Sequence, residues 1–318
     1  MAKVLITGIA GFIGSSIARG VLKENGTVRG IDNLSTGKEE NIEDIRSSID
    51  FRFADVTDAH EMENAFREVD YVFHQAAIPS VPVSVADPLG TNAPNLTGTL
   101  CVLEAARRAG VKRFIYAASS AAYGDSLDLP KRESMAPAPI SPYAVQKVAG
   151  EYYLASYARV YGLQTVALRY FNIFGPRQDP TSQYSGVLAR FISQMLEGEA
   201  PTIFGDGTTS RDFTYIDNVV SANLLAAKAP SCVSGKIFNV GIGQATTLFS
   251  AYQQIRSLVN YDGDLRWKPE REGDIKHSVA DISSARALLG YNVVTDFATG
   301  VRKTIDWYKV SMPLALAN

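Results

Sequence analysis

Tyr143 and Lys147, four apart in the run SPYAVQK, are the pair in this chain whose types and spacing suit proton chemistry. On a helix, positions i and i+4 share one face. A lysine cation beside a phenol favours the phenolate and lowers the tyrosine pKa from its usual value of about 10. A phenolate can then take the proton of a hydroxyl. With 15 tyrosines in the chain, such a spacing arises by chance, so its place has to decide. It follows, by one loop, the pair Ser119 and Ser120 in AASSAAYG, which closes an apolar run. Hydroxyls at a strand end can reach a ligand, or can simply be turn serines.

Such groups need a scaffold, and the first residues supply one. Val4, Leu5 and Ile6 form a short apolar run, followed by glycines at 8, 11 and 14 and then by Ile13, Ile17, Val21 and Leu22 on one helical face. A buried strand that runs into a glycine turn and an amphipathic helix suits a pyrophosphate. The helix N-terminus offers unpaired N–H groups and partial positive charge, and glycine lets the backbone come close. The spacing is G-x-x-G-x-x-G, and Asp32 ends the next apolar run, Val28 to Ile31. Together these point to a dinucleotide. A carboxylate there binds ribose hydroxyls and opposes a 2′-phosphate, so NAD is expected and NADP is not.

Apolar runs at 3–7, 27–31, 50–54, 70–74, 111–117 and 164–169 read as strands, and helical patterns lie at about 12–24, 58–67, 88–109 and 143–161. The alternation predicts an α/β fold: a Rossmann-like, doubly wound parallel sheet covered on both faces. After about residue 172, clusters such as GPRQDPTSQYSG and FGDGTTSRD predict a smaller C-terminal α/β lobe for the substrate. The expected division is 1–171 for the core and 172–318 for the lobe, interleaved with the core. The helices at 88–109 and 143–161 carry Leu96, Leu100, Leu103, Tyr152, Leu154, Tyr157 and Val160 on faces expected to point outward, and a homodimer through a four-helix bundle is expected there.

The 318 residues, 46% hydrophobic and 20% charged, suit a soluble globular enzyme. A net charge of -2 gives no global pull toward nucleic acid or an anionic membrane, and neither is an expected partner. Cys101 and Cys232 lie far apart and read as buried free thiols. With His60, His74 and His277 they form no metal-ligand spacing, so no metal is expected. No signal-peptide pattern and no membrane-length apolar run is present, and a cytoplasmic location is expected.

Two further polar residues stay open on local pattern alone. Asp55 in FADVTD is a helix N-cap or an adenine contact, and Asn92 is a cap, a surface amide or a group near the nicotinamide. The small Ala76 and Ala77 after the fourth strand leave room for a cofactor.

The combination of the glycine turn, Ser119 and Tyr143-x-x-x-Lys147 resembles the extended short-chain dehydrogenase/reductase family, and within it the nucleotide-sugar 4-epimerases. The resemblance runs from Lys3 to about Tyr308 and includes RYFNIFGPRQDP and TIFGDGTTSRDFTYIDNV. It implies a UDP-sugar substrate and a 4-keto intermediate, with Ser119, Tyr143 and Lys147 as catalytic groups. NAD would lie against Gly8, Gly11, Phe12, Ile13, Gly14, Asp32, Asn33, Asp55 and Val56, and along Ala76, Ala77, Asn92, Tyr143, Lys147 and Tyr170. The same resemblance puts Asn172 and Arg211 on the diphosphate with Arg271 as a second guanidinium, and Phe204 against the uracil. Ser120, Ala121, Gln178, Val187, Thr202, Asp274 and Ser278 complete the expected substrate contacts.

Three rivals stand beside it. A 4,6-dehydratase needs an acidic pair where this chain has Ser120 and Ala121. A UDP-glucuronate 4-epimerase or decarboxylase tends to carry threonine or a cation where this chain has Asn172 and Asp179. A non-catalytic NAD(H)-sensing protein usually loses the Tyr or Lys, and both are intact. Within the epimerases a tyrosine at the position of Ser278 confines the enzyme to unacetylated hexoses. A small residue there admits N-acetyl sugars, so UDP-GlcNAc and UDP-GalNAc are expected substrates, with UDP-Glc and UDP-Gal beside them. One departure is Pro79, where that branch would carry glycine.

Overall fold

The computed structural model describes residues 2–180, 186–270 and 275–311. Its centre is a parallel sheet of β1 (Lys3–Thr7), β2 (Thr27–Asp32), β3 (Ile49–Phe53), β4 (Tyr71–His74), β5 (Arg113–Ser119), β6 (Thr165–Tyr170) and β11 (Lys236–Val240). The spatial order is β3-β2-β1-β4-β5-β6-β11. The strand order reverses at β1, whose neighbours are β2 and β4, and the crevice at such a reversal is where open α/β sheets bind ligands.

Alternation along each strand feeds two cores. On β5, Ile115 and Ala117 join a cluster with Ile17 and Val21 of α1 (Phe12–Lys23) and with Val219, Ala222 and Ala226 of α8 (Ile216–Lys228). Phe114, Tyr116 and Ala118 point the other way. They pack with Met62 of α2 (Ala59–Ala65), Val102 of α5 (Thr99–Arg108) and Leu154 of α6 (Pro142–Tyr161). Six of the seven strands fall within a few residues of the expected runs. β5 and β6 extend beyond them, which brings Ser119 and Tyr170 into register at the sheet's C-terminal edge. The seventh strand, β11, was not among the expected runs and comes from the second half of the chain.

The helix expected over 88–109 is three pieces. After α3 (Val81–Ala86) come α4 (Pro88–Asn92), a π-helical turn at Ala93–Gly98, and α5. Pro94 has no N–H to donate back along the helix, and the wider turn absorbs that loss. Of the side chains expected to point outward, Leu103, Leu154 and Tyr157 are buried in their own protomer. The Tyr157 hydroxyl donates to Glu104 at 3.2 Å. Leu96 and Leu100 are half-buried, while Tyr152 and Val160 are exposed. The expectation of two buried thiols also fails. Cys232 is exposed, because the short turn Ser231–Val233 sends Val233 inward, and Cys101 is half-buried.

The lobe is made of small ribbons: β7 (Ile173–Phe174) with β10 (Thr214–Tyr215), β8 (Thr202–Phe204) with β13 (Arg266–Lys268), and β9 (Ser210–Arg211) between β12 (Thr246–Thr247) and β14 (His277–Ser278). Helices α7 (Val187–Leu196), α9 (Leu248–Val259), α10 (Ser283–Leu289) and α11 (Phe297–Ser311) cover them. Asp212 ties the ribbons together. Its carboxylate accepts from the N–H groups of Ile242 at 2.8 Å, Gly243 at 2.9 Å and Ala280 at 3.1 Å. Burial outweighs those bonds and pushes its pKa up to about 6. Among the described residues no helix is long and apolar enough to cross a membrane.

Candidate active site

A cavity of about 530 Å³ opens at the C-terminal edge of the sheet. A second, of about 430 Å³, shares Asn172, Ile173, Gln178, Gly186 and Arg211 with it and runs on into the lobe.

At one end lies the glycine turn. Gly8 has a φ of 70°, and a Cβ at Gly14 would come 2.1 Å from the Gly8 carbonyl oxygen. Only hydrogen side chains permit this packing. Ser15 is the first residue whose N–H turns back onto the helix, donating to Gly11 at 3.0 Å. The N-cap, Gly11, has no side chain to occupy the earlier N–H groups, which are left for a ligand. Asp32 ends β2 with its carboxylate buried, accepting from Ala10 N at 2.9 Å and Leu34 N at 2.8 Å. Burial raises its pKa. A carboxylate has about four acceptor sites, so ribose hydroxyls can still be received. The cradle and the acid therefore fit NAD. Gly8, Gly11, Phe12, Ile13, Gly14, Asp32, Asn33, Val56, Ala76, Ala77 and Tyr170 all line the cavity, and so does Pro79.

Two expected cofactor residues do not. Asp55 is neither the helix cap nor part of the lining. It accepts from Thr57 and, at 2.7 Å, from Asn33 Nδ2, while Asp58 caps α2. Asn92 ends α4 half-buried and away from the cavity. The amide that braces the nearby cavity wall is Asn95, fully buried, which accepts from Ile78 N at 2.7 Å and donates to Gln146 at 2.7 Å. It steadies the cavity wall at Ile78. The sequence signal was a polar residue inside an apolar helix face, one turn beyond Asn92.

The expected catalytic groups converge from two elements, β5 and α6. Ser119 closes β5 and accepts from Ala121 N at 3.2 Å, which starts the turn that carries Ser120 and Ala121 into the cavity. Tyr143 and Lys147 occupy the first two turns of α6. That helix begins because Ser141 caps it and Pro142 stands at its first position. Tyr143 N donates to Ser84 on α3 at 3.0 Å, and Lys147 Nζ donates to the Ala117 carbonyl at 2.8 Å. The lysine is therefore fixed against the strand that carries Ser119, with its Nζ 6.0 Å from the Tyr143 ring centre. Burial brings the Lys147 pKa down to about 8, which leaves it cationic at pH 7. Burial also raises the Tyr143 pKa, and hydrogen bonding with Ser119 offsets only part of that rise. The expected lowering of the phenol by Lys147 does not act here: within the protein alone desolvation dominates, opposed by the hydrogen bond with Ser119.

The residues expected to meet the substrate come mainly from the lobe. Asn172, with a φ of 35°, donates to the Asp212 carbonyl at 3.3 Å, and Gln178 donates to the Ile173 carbonyl at 3.2 Å. Val187, Thr202 and Phe204 line the second cavity beside Lys268. Ser278 pairs in register with Arg211 and is buried at the wall of the first cavity. Arg271 and Asp274 lie outside the described residues.

Comparison with known proteins agrees with this geometry. Residues 4–241 match the model of the "NAD dependent epimerase/dehydratase family". A UDP-glucose 4-epimerase of Mycolicibacterium smegmatis is 37% identical over 96% of this chain and 98% of its own. Among solved structures, the UDP-glucose 4-epimerase of Thermotoga maritima with UDP-glucose superposes with a TM-score of 0.93 at 38% identity, covering 97% of this chain and 99% of that one. The UDP-N-acetylglucosamine 4-epimerase of Methanobrevibacter ruminantium, in complex with UDP-N-acetylmuramic acid, gives a TM-score of 0.93 at 40% identity over 98% and 99%. The chain belongs to the NAD-dependent epimerase/dehydratase family. It is an epimerase, an isomerase whose cofactor is NAD.

Proposed function

We propose that the protein inverts carbon 4 of UDP-sugars, interconverting UDP-GlcNAc with UDP-GalNAc and also UDP-Glc with UDP-Gal. Tyr143, as phenolate, takes the proton of the 4-hydroxyl, which Ser119 holds and relays. NAD, when bound, accepts hydride from carbon 4 and returns it to the other face of the 4-keto sugar. Lys147 supplies the positive charge that the phenolate needs and orients the nicotinamide ribose. Asn172 and Arg211 hold the diphosphate and Phe204 stacks on the uracil, so the nucleotide stays gripped while the sugar turns over.

Ser278 carries the substrate reading. It is small, buried and set at the cavity wall beside Arg211, where a tyrosine would occupy the volume an acetamido group needs. Its hydroxyl can hydrogen-bond that group. Asp179 on the substrate segment, paired with Lys38 at 2.6 Å, opposes an anionic sugar such as a glucuronate. The test is to incubate the enzyme with UDP-GlcNAc, UDP-Glc and UDP-GlcA separately and resolve the products. Ser278→Tyr should then lose UDP-GlcNAc turnover and keep UDP-Glc turnover, and an unchanged ratio refutes the assignment.

We also propose a homodimer through α6 and the helices at Pro88–Arg108. Leu89, Val145, Tyr152 and Val160 are exposed there although apolar or aromatic. Light scattering that returns the 34.4 kDa protomer at micromolar concentration rules this out.

A further inference from the structure

The reaction as derived leaves a half-buried cation at the cavity unused. Arg177 sits in the substrate segment with a φ of 69°, a region that residues with a Cβ seldom enter. Its side chain crosses to the first helix, where Nη2 donates to Ser16 Oγ at 3.3 Å. Ser16 lies one turn along from Phe12, at the end of α1 whose first N–H groups are left for a ligand. Arg177 Nε is buried and has no hydrogen-bond partner among the described residues, and Arg177 lines the cavity. The two carboxylates whose charge reaches it are already engaged, Asp44 with Arg19 and Asp217 with Lys303. Arg19 adds further positive charge beside it. A half-buried guanidinium with spare donors and no carboxylate of its own is matched to an anion.

We infer that Arg177 binds a phosphate oxygen of the NAD pyrophosphate, completing from the substrate side the anion site that the turn at Gly8–Gly14 opens from the other. The inference rests on NAD occupying this cavity and not on which sugar is turned over. It makes Arg177 a binding residue that ties cofactor retention to the segment carrying Asn172 and Gln178. A second tie from that segment, Lys38 to Asp179, has its lysine in solvent, and pairs with an exposed partner contribute little.

The experiment follows exchange of bound NAD for excess labelled NAD in the purified holoenzyme, without turnover. Arg177→Gln should exchange at least about ten times faster than wild type, because a charge-assisted contact is lost. Arg177→Lys, which keeps the charge but not the fork, should fall between the two. Lys38→Gln should stay within about threefold of wild type. Exchange from the wild type should also quicken with added KCl more than exchange from Arg177→Gln, since one screened charge pair is missing in the variant. Wild-type exchange by Arg177→Gln overturns the inference. Acceleration by Lys38→Gln equal to that of Arg177→Gln also overturns it, since it would mean that closure of the segment, and not the phosphate contact, holds the cofactor. Should Arg177→Gln fail to fold, the Arg177→Lys rate decides: at or below wild type it refutes the contact.

Discussion

The turn at Gly8–Gly14 and the turn at Asn172–Asp179 border the same cavity and hold their shapes by different means. The first is a backbone device. Its close approach to Ala76 and its own crossing at Gly14 leave no room for side chains, and its ligand groups are N–H dipoles. The second is a side-chain device. Asn172 and Arg177 stand in left-handed conformations despite having side chains, and bonds to Asp212, Ile173 and Ser16, with one from the Tyr308 hydroxyl to the Gln178 carbonyl, keep them there. A backbone site recognises what every dinucleotide shares. A side-chain site can be rebuilt for a different sugar nucleotide without disturbing the sheet.

The largest effect should come from the groups that belong to neither turn. Tyr143→Phe is expected to lower kcat by about 10²–10⁴ while NAD content and UDP binding stay close to wild type. Retention of more than a tenth of the rate would show that another residue takes the proton. Next comes Gly14→Ala, whose methyl would meet backbone at 2.1 Å with no flexible atom to yield. The purified variant should carry less than about a tenth of the wild-type NAD, as assayed after denaturation, and full occupancy would break the backbone account. Asn172→Ala tests the other turn. Loss of one neutral hydrogen-bonding side chain, on the order of 1 kcal/mol, should raise KM for UDP-sugars by about fivefold and leave NAD content untouched. If NAD content falls in step, the two turns are not separable.

A separate test, read in stability and not in binding, concerns what holds the second turn in place. Asp212 has a folded-state pKa of about 6 against an ordinary 3.8, so its carboxylate is favoured by the fold in the protonated form. Its stabilising contribution is complete below pH 4 and is lost as the pH rises through 6, by up to about 3 kcal/mol. Thermal midpoints of wild type and Asp212→Asn should therefore converge, or cross in favour of the variant, between pH 4.5 and 7.5. A constant offset across that range would show that Asp212 does not titrate there.

The same contrast explains what could be read in the sequence. Gly8 and Gly14 are legible because steric exclusion leaves one residue type, and Asp32 because its place at a strand end fixes its role. Tyr143 and Lys147 are legible because one helical turn relates them. Arg177 and Asn95 were not singled out, since a left-handed arginine and a buried asparagine have no local pattern and acquire their meaning only from Ser16 and Ile78 across the fold. Asp55 stays open in the sequence because a carboxylate after a strand looks the same whether it caps a helix or braces Asn33, and only its partners show that Asp58 is the cap. The seventh strand escaped because KIFNV follows a stretch that otherwise builds the lobe.

That strand has a consequence for how the protein is made. β6 is the edge of the sheet until β11 arrives, and β11 is synthesised only after the chain has passed through α7 and α8. A nascent chain released before Val240 would present the open side of β6 as an unpaired edge next to Phe238's empty place in the core, the kind of surface that recruits other chains. Ribosome stalling or premature termination in this interval should yield insoluble fragments, even though every residue of the glycine turn, of Asp32 and of the Ser119–Tyr143–Lys147 set has already been translated.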